Sequence, residues 1–148
     1  MHIKFSLVWQ PNPRSLKQMF KSSACYELFE IYLKRISQFC RAEASGILTQ
    51  KTKPVVWLCD VTEAKRALRS EEIAQELEKL IHAGTRELEI VIGGADGFDP
   101  KQRKHLVADR IWSFGPITLP HELAAVVAAE QIYRAWTILK GLPYHLGH

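Results

Sequence analysis

The chain has 148 residues, a formal net charge of +4, 47% hydrophobic and 24% charged residues. These proportions fit one domain, residues 1–148, with a sizeable core, and exclude disordered, collagenous and coiled-coil classes. The most apolar stretch, Leu123 to Ala129, is soon followed by Glu130 and Arg134, too short and too charged to span a bilayer.

Met1-His2-Ile3-Lys4 has no apolar segment with a cleavage site behind it, so export is not expected. Cys25, Cys40 and Cys59 are odd in number and lack CxxC spacing, which suits a reducing, cytoplasmic compartment. Charge is segregated along the chain: nine Lys/Arg against three Asp/Glu in residues 1–53, five against ten in 54–100, six against three in 101–148. Basic ends flanking an acidic middle suit a partner with a phosphate backbone, whose counterions are released on binding. Solvated helix faces of mixed sign are the plainer reading of the same counts.

In chain order, alternation at Ile3, Phe5 and Leu7 predicts a strand over Ile3–Trp9, stopped by Pro11-Asn12-Pro13. Apolar residues recurring at three and four, from Leu16 to Cys40, predict helix from about Ser15 to Ala44, and a short strand is expected at about Ile47–Thr49. Val55-Val56-Trp57-Leu58-Cys59 reads as a strand buried on both faces. Ser70 as N-cap with Glu71 and Glu72 behind it opens a helix that Gly84 ends. Leu88–Ile92 is the next strand, and it runs into Gly93-Gly94-Ala95-Asp96-Gly97. Asp99 and Pro100 then start another helix, Ile111–Phe114 makes a strand, and Pro120 opens a last helix over His121–Lys140 that Gly141 and Pro143 terminate. Strand and helix alternate, so the expected class is α/β with a mostly parallel sheet and helices on both faces.

Ligands of open α/β sheets bind beyond the carboxyl ends of the strands, here Cys59, the glycine loop and Gly115 to Leu119. The G-G-x-x-G spacing of Gly93, Gly94 and Gly97 is not the dinucleotide fingerprint, which disfavours NAD. Those glycines supply a tight turn, or bare backbone against which a flat ligand can lie. The six histidines are scattered, with no metal-binding spacing, and no metal is expected. His121 reads as a first-turn contact. Arg134 stands four residues after Glu130, which allows a plain ion pair. The tail Leu142-Pro143-Tyr144-His145 is either a frayed end or a functional one. The last helix is so apolar around its circumference that it must be covered on several sides, and a second copy of the chain related by a twofold axis is expected to supply one of them.

Three ordered segments are more specific than any of these. Ile92-Gly93-Gly94-Ala95-Asp96-Gly97-Phe98, then Trp112-Ser113 with Ile117-Thr118-Leu119-Pro120-His121-Glu122-Leu123, then Glu130 through His145 resemble the ribosomal RNA large-subunit methyltransferase H family, closely over residues 86–145. The likeness extends more loosely to Tyr32–Ile36 and Ser70–Ala74. The chain departs from the family pattern at Gln10–Arg14 and in the loop after Cys59, which is longer and lacks a glycine.

The resemblance implies the SPOUT superfamily: an α/β fold with a trefoil knot near its C-terminus, S-adenosyl-L-methionine bound in the knot, and a homodimer. It implies methylation of N3 of a pseudouridine in large-subunit (23S) rRNA of the assembled ribosome, without metal or membrane. Carried over by position, the cofactor residues are Cys59, Gly93, Gly94, Gly115, Pro116, Ile117, Thr118, Leu119 and Pro120, and the catalytic ones Arg134, Tyr144 and His145. A pseudouridine N3–H is a weak acid, so His145, or Tyr144 through a hydrogen bond, would help remove the proton while Arg134 stabilises the anion. Other readings are methylation at a different RNA site, or a non-catalytic RNA-binding dimer that keeps the pocket.

Overall fold

A computed structural model describes residues 1–10, 13–46, 52–60, 67–94, 98 and 107–146. Five parallel strands form one sheet in the order β2-β1-β4-β3-β5: β1 is His2–Leu7, β2 Arg41–Ser45, β3 Val55–Cys59, β4 Glu87–Ile92 and β5 Arg110–Trp112. Helices α1 (Ser23–Ile36), α2 (Ser70–His82) and α3 (His121–Leu139) pack together on one of its faces. The helix expected from Asp99, and the strand expected at Ile47–Thr49, lie outside the described residues.

The two-residue period of the strands sorts their side chains. Ile3, Phe5 and Leu7 of β1, Trp57 and Cys59 of β3, Leu88, Ile90 and Ile92 of β4 and Trp112 of β5 meet Phe29, Leu77 and Ile132 of the three helices in one core. Burying each such side chain contributes roughly 1.5–3 kcal/mol. The opposite face carries a smaller cluster of Val56, Leu58 and Val91, together with buried Lys4, Ser6 and Glu89.

The predicted helix from Ser15 to Ala44 is corrected at both ends. Its first turn is a short 3-10 segment, Lys17–Met19, and α1 begins only after Ser22, whose hydroxyl accepts from the Cys25 N–H at 3.2 Å. After Ile36 the chain turns and Arg41–Ser45 becomes an edge strand, paired to β1 from His2↔Arg41 to Ser6↔Ser45. An Arg-Ala-Glu-Ala-Ser stretch carries no strand pattern of its own; backbone pairing with β1 overrides its helical propensity.

Ser70 is the first helical residue of α2 and not its cap. The Glu72 carboxylate accepts the Arg69 N–H at 2.6 Å, and Glu71 and Glu72 complement the positive end of the helix dipole. Gly84 (φ 73°) ends this helix in the left-handed conformation. Helix α3 lies against both α1 and α2, and Ala124, Ala125, Ala128, Ala129, Ile132 and Ala135 are all buried. Two helices of the same chain therefore cover part of the circumference of this apolar helix.

Candidate functional site

Gly141 (φ 67°) closes α3 with a Schellman motif: its N–H donates to the Ile138 carbonyl at 3.2 Å and the Leu142 N–H to Thr137 at 2.9 Å. The reversal folds Pro143-Tyr144-His145 back along the helix. Tyr144 OH donates to Glu130 Oε1 at 3.1 Å, and its ring lies 4.7 Å from Tyr133, edge to face, and 4.8 Å from the Arg134 guanidinium. The tail is seated and not frayed.

Glu130 and Arg134 make the i,i+4 pair expected of them, with Nη2 and Nε at 2.6 and 2.9 Å from Oε1. The pair does more than decorate the helix surface. Arg134 Nη1 lies 3.0 Å from His145 Nδ1, and His145 Nε2 lies 2.8 Å from Glu71 Oε1 on the first turn of α2. A guanidinium has only donors, so Nδ1 must accept and the ring proton must sit on Nε2, where Glu71 receives it. The Ser70 hydroxyl donates to Gln131 Oε1 at 2.7 Å, and Gln131 Nε2 donates to Glu130 Oε2 at 2.7 Å. The links run from Ser70 through Gln131, Glu130, Arg134 and His145 to Glu71, a ring that ties the tail to α2 and α3.

Protonation states follow from these contacts. Burial, with hydrogen bonds to Tyr32 and Glu130 and their charges, raises the Tyr144 phenol well above its usual range, so it is a donor and not a base. Partial burial opposes the charge on Arg134, but Glu130 outweighs it and holds the guanidinium above its ordinary value. The hydrogen bond from His145 lowers the Glu71 carboxyl. Sequence reasoning paired Glu130 with Arg134 but missed Glu71 and Gln131 as members of this cluster. Nothing in the spacing links Glu71 to a residue 74 positions away.

The expected cofactor residues sit at the carboxyl ends of β3, β4 and β5. The Cys59 thiol is buried, which raises it far above its usual range and keeps it uncharged, and the next residue, Asp60, donates its N–H to the Trp112 carbonyl at 3.2 Å. Gly93 is buried, and a methyl on Gly94 would stand 3.3 Å from Trp9 Cβ. Trp9 cannot easily retreat, because its indole N–H donates to the Met19 carbonyl at 2.6 Å and Phe20 and His121 pack against its ring. Gly115 takes φ 100°, with its N–H on the Ser113 hydroxyl at 3.2 Å. The turn it makes leaves Pro116, Ile117, Thr118 and Pro120 exposed and Leu119 half-buried. Bare backbone at Gly94 and apolar loop surface at Ile117 fit a flat ligand of adenosyl type.

Among the described residues, no hydrogen bond or ring contact joins these loops to Arg134, Tyr144 or His145. His121 is the first-turn contact expected, its ring 4.8 Å from Trp9. A cavity of about 630 Å³ beside Thr52, Lys53, Thr85 and Arg86 lies at the opposite, amino-terminal edge of the sheet, away from the strand ends where such folds bind ligands. Among the described residues there is no group of three or more side chains able to hold a metal, and no helix is long and apolar enough to cross a membrane.

Comparison with known proteins agrees with the geometry. A family model described as a predicted SPOUT methyltransferase matches residues 42–145. Proteins named ribosomal RNA large subunit methyltransferase H are similar along most of the chain. That of Koribacter versatilis is 39% identical over 139 residues, covering 86% of this chain and 92% of its own, and that of Limosilactobacillus reuteri is 36% identical over 145 residues, covering 97% and 81%. The structure of a probable methylase family protein from Haemophilus influenzae superposes with a TM-score of 0.50 at 7% identity, over 97% of this chain and 68% of that one, a likeness of fold. With a parallel sheet, a SPOUT family model over residues 42–145 and relatives similar over 86% and 97% of its length, the chain belongs to the ribosomal RNA large subunit methyltransferase H family of SPOUT methyltransferases.

Proposed function

We propose that the protein methylates N3 of a pseudouridine in large-subunit rRNA of the assembled ribosome, acting in the cytoplasm as a homodimer. The observation that carries this reading is the convergence of a guanidinium, a phenol and an imidazole, Arg134, Tyr144 and His145, on the folded-back tail of a family member. A weakly acidic N–H flanked by two carbonyls needs a proton acceptor beside it and a cation for the charge left behind. His145 offers the acceptor and Arg134 the cation, while Tyr144, held protonated, fixes the guanidinium through Glu130 and its own ring.

S-adenosyl-L-methionine, when bound, supplies an already activated methyl group. Cys59, Gly93, Gly94 and the run Gly115 to Pro120 would hold it, and what remains for the chain is to align N3 with that methyl. Since, among the described residues, no hydrogen bond or ring contact links those loops to the tail, the tail of a second copy is the group expected to meet them. Leu28 and Ile31 on α1, with Ile117 and Leu123, remain exposed apolar side chains that a partner copy would cover. The basic segments at the two ends of the chain suit rRNA phosphates.

The test is transfer of a labelled methyl group to purified ribosomes, with free rRNA as control and the product nucleoside identified by mass. Label on N3 of a pseudouridine is the expected result. Label elsewhere, or none despite cofactor binding by calorimetry, would overturn the assignment. Sedimentation of the free protein should give a dimer.

A further inference from the structure

We propose that Glu71, on the first turn of α2, is the positioning residue for His145, fixing its neutral imidazole with the proton on Nε2 and the Nδ1 lone pair facing Arg134. The inference rests on His145 and Arg134 being the groups that meet the nucleobase. Its grounds are the two contacts of the ring, 2.8 Å from Nε2 to Glu71 Oε1 and 3.0 Å from Nδ1 to Arg134 Nη1. Because Arg134 cannot accept a hydrogen bond, only the Nε2–H tautomer satisfies both sides, and without the Glu71 anchor the ring is free to swing off Arg134 and take either form. The imidazole is nearly covered, its side chain 10% exposed, whereas the Glu71 side chain is 56% exposed, so the carboxylate reaches in from solvent to hold the ring.

A consequence follows for the order of events. In the free protein the lone pair that would take the N3 proton is occupied by a cation. An incoming base whose carbonyl oxygens gain negative charge competes for that same guanidinium. When Arg134 turns to the base, Nδ1 is freed, the N3 proton moves to it, and the imidazolium formed keeps its Nε2–H on the Glu71 carboxylate. The nitrogen anion left behind is balanced by Arg134. No proton is lost to water, and the base is exposed only when the substrate is present to use it.

The test uses the full chain with Glu71→Ala and Glu71→Gln. Gln keeps an oxygen acceptor for Nε2–H without the charge. Long-range proton–nitrogen correlation spectra of histidine-labelled protein should show His145 as the Nε2–H tautomer in the wild type and in Glu71→Gln, and a mixture of tautomers in Glu71→Ala. On ribosomes Glu71→Ala should lose about tenfold in turnover, with Gln recovering most of it. Calorimetry should give one cofactor affinity for all three. A wild-type ring protonated on Nδ1, or a Glu71→Ala protein with an unchanged spectrum, would overturn the proposal. The spectra require no rRNA, so they decide the role of Glu71 even if ribosomes prove not to be the substrate.

Discussion

His145 Nδ1 accepts a hydrogen bond from the Arg134 guanidinium at 3.0 Å, although the two residues are separated by the whole turn that ends α3. Arg134 is thereby shared between a carboxylate on its own helix and an imidazole on the tail. Only a planar fork with several donors can serve both at once.

Arg134→Lys tests that sharing. A lysine keeps the charge but presents a single ammonium, which cannot bridge Glu130 and also reach His145. Methyl transfer is expected to fall by about 100-fold, the scale of losing one stabilising donor. Cofactor affinity should stay within about twofold, since the guanidinium lies outside the proposed cofactor loops. Label transfer and calorimetry on the same preparation check the two halves, and wild-type turnover would remove Arg134 from the site.

Tyr144→Phe separates the hydroxyl from the ring. The phenol donates to Glu130 at 3.1 Å, while the ring packs on Tyr133 and Arg134. Losing the hydroxyl alone should cost about 1 kcal/mol in chemical unfolding. Because the phenol is held protonated, the variant should lower the plateau of the pH–rate profile without changing its shape between about pH 7 and 9. Disappearance of a titration in that range would show that Tyr144 is itself the base.

How far the sequence could be read depends on which force shapes each element. β1, β3, β4, α2 and α3 are placed by their own apolar period and by Gly84 and Gly141, and they lie within a few residues of expectation. β2 was hidden because an Ala-rich edge strand owes its form to the backbone of β1. The apolar circumference of α3 pointed to extensive cover, but periodicity cannot distinguish neighbours within a chain from those in a second one. Of the side chains that the structure brings together on the tail, Arg134, Tyr144 and His145 were singled out through family resemblance, and Glu130 through its i,i+4 spacing. Glu71 was legible only as a good first-turn acid, because its meeting with His145 is made by the tertiary fold.

The two glycines at the proposed cofactor loops should fail for different reasons. At Gly115 a side chain meets nothing within 4 Å, but φ is 100°, so Gly115→Ala carries a backbone penalty of about 1–3 kcal/mol. At Gly94 the backbone is ordinary and the obstacle is Trp9 Cβ at 3.3 Å. Gly94→Ala should therefore lower the melting temperature by a few degrees through the held Trp9 ring, while weakening the cofactor more than Gly115→Ala does per degree lost. Thermal unfolding and calorimetry on both variants check the ordering.

Glu89 gives the protein a pH dependence of stability. It stands in the middle of β4, opposite Lys4 on β1 and Val56 on β3, fully buried, with neither carboxylate oxygen hydrogen-bonded. Burial pushes its carboxyl from 4.5 up to about 7, with Lys4 opposing the rise and Glu87 adding to it. The folded value lies above the unfolded one, so the folded state binds the proton more tightly. The stabilisation is complete below about pH 4.5 and is lost as pH rises through 7. At 1.36 kcal/mol per unit, the loss across that window is about 3 kcal/mol. Glu89→Gln cannot ionise, so it should match the wild type within about 1 kcal/mol at pH 5 and exceed it by about 2–3 kcal/mol at pH 8. Urea unfolding at the two pH values decides the matter: an equal difference between variant and wild type at both would show that Glu89 is ionised in the fold throughout, with Lys4 compensating its burial.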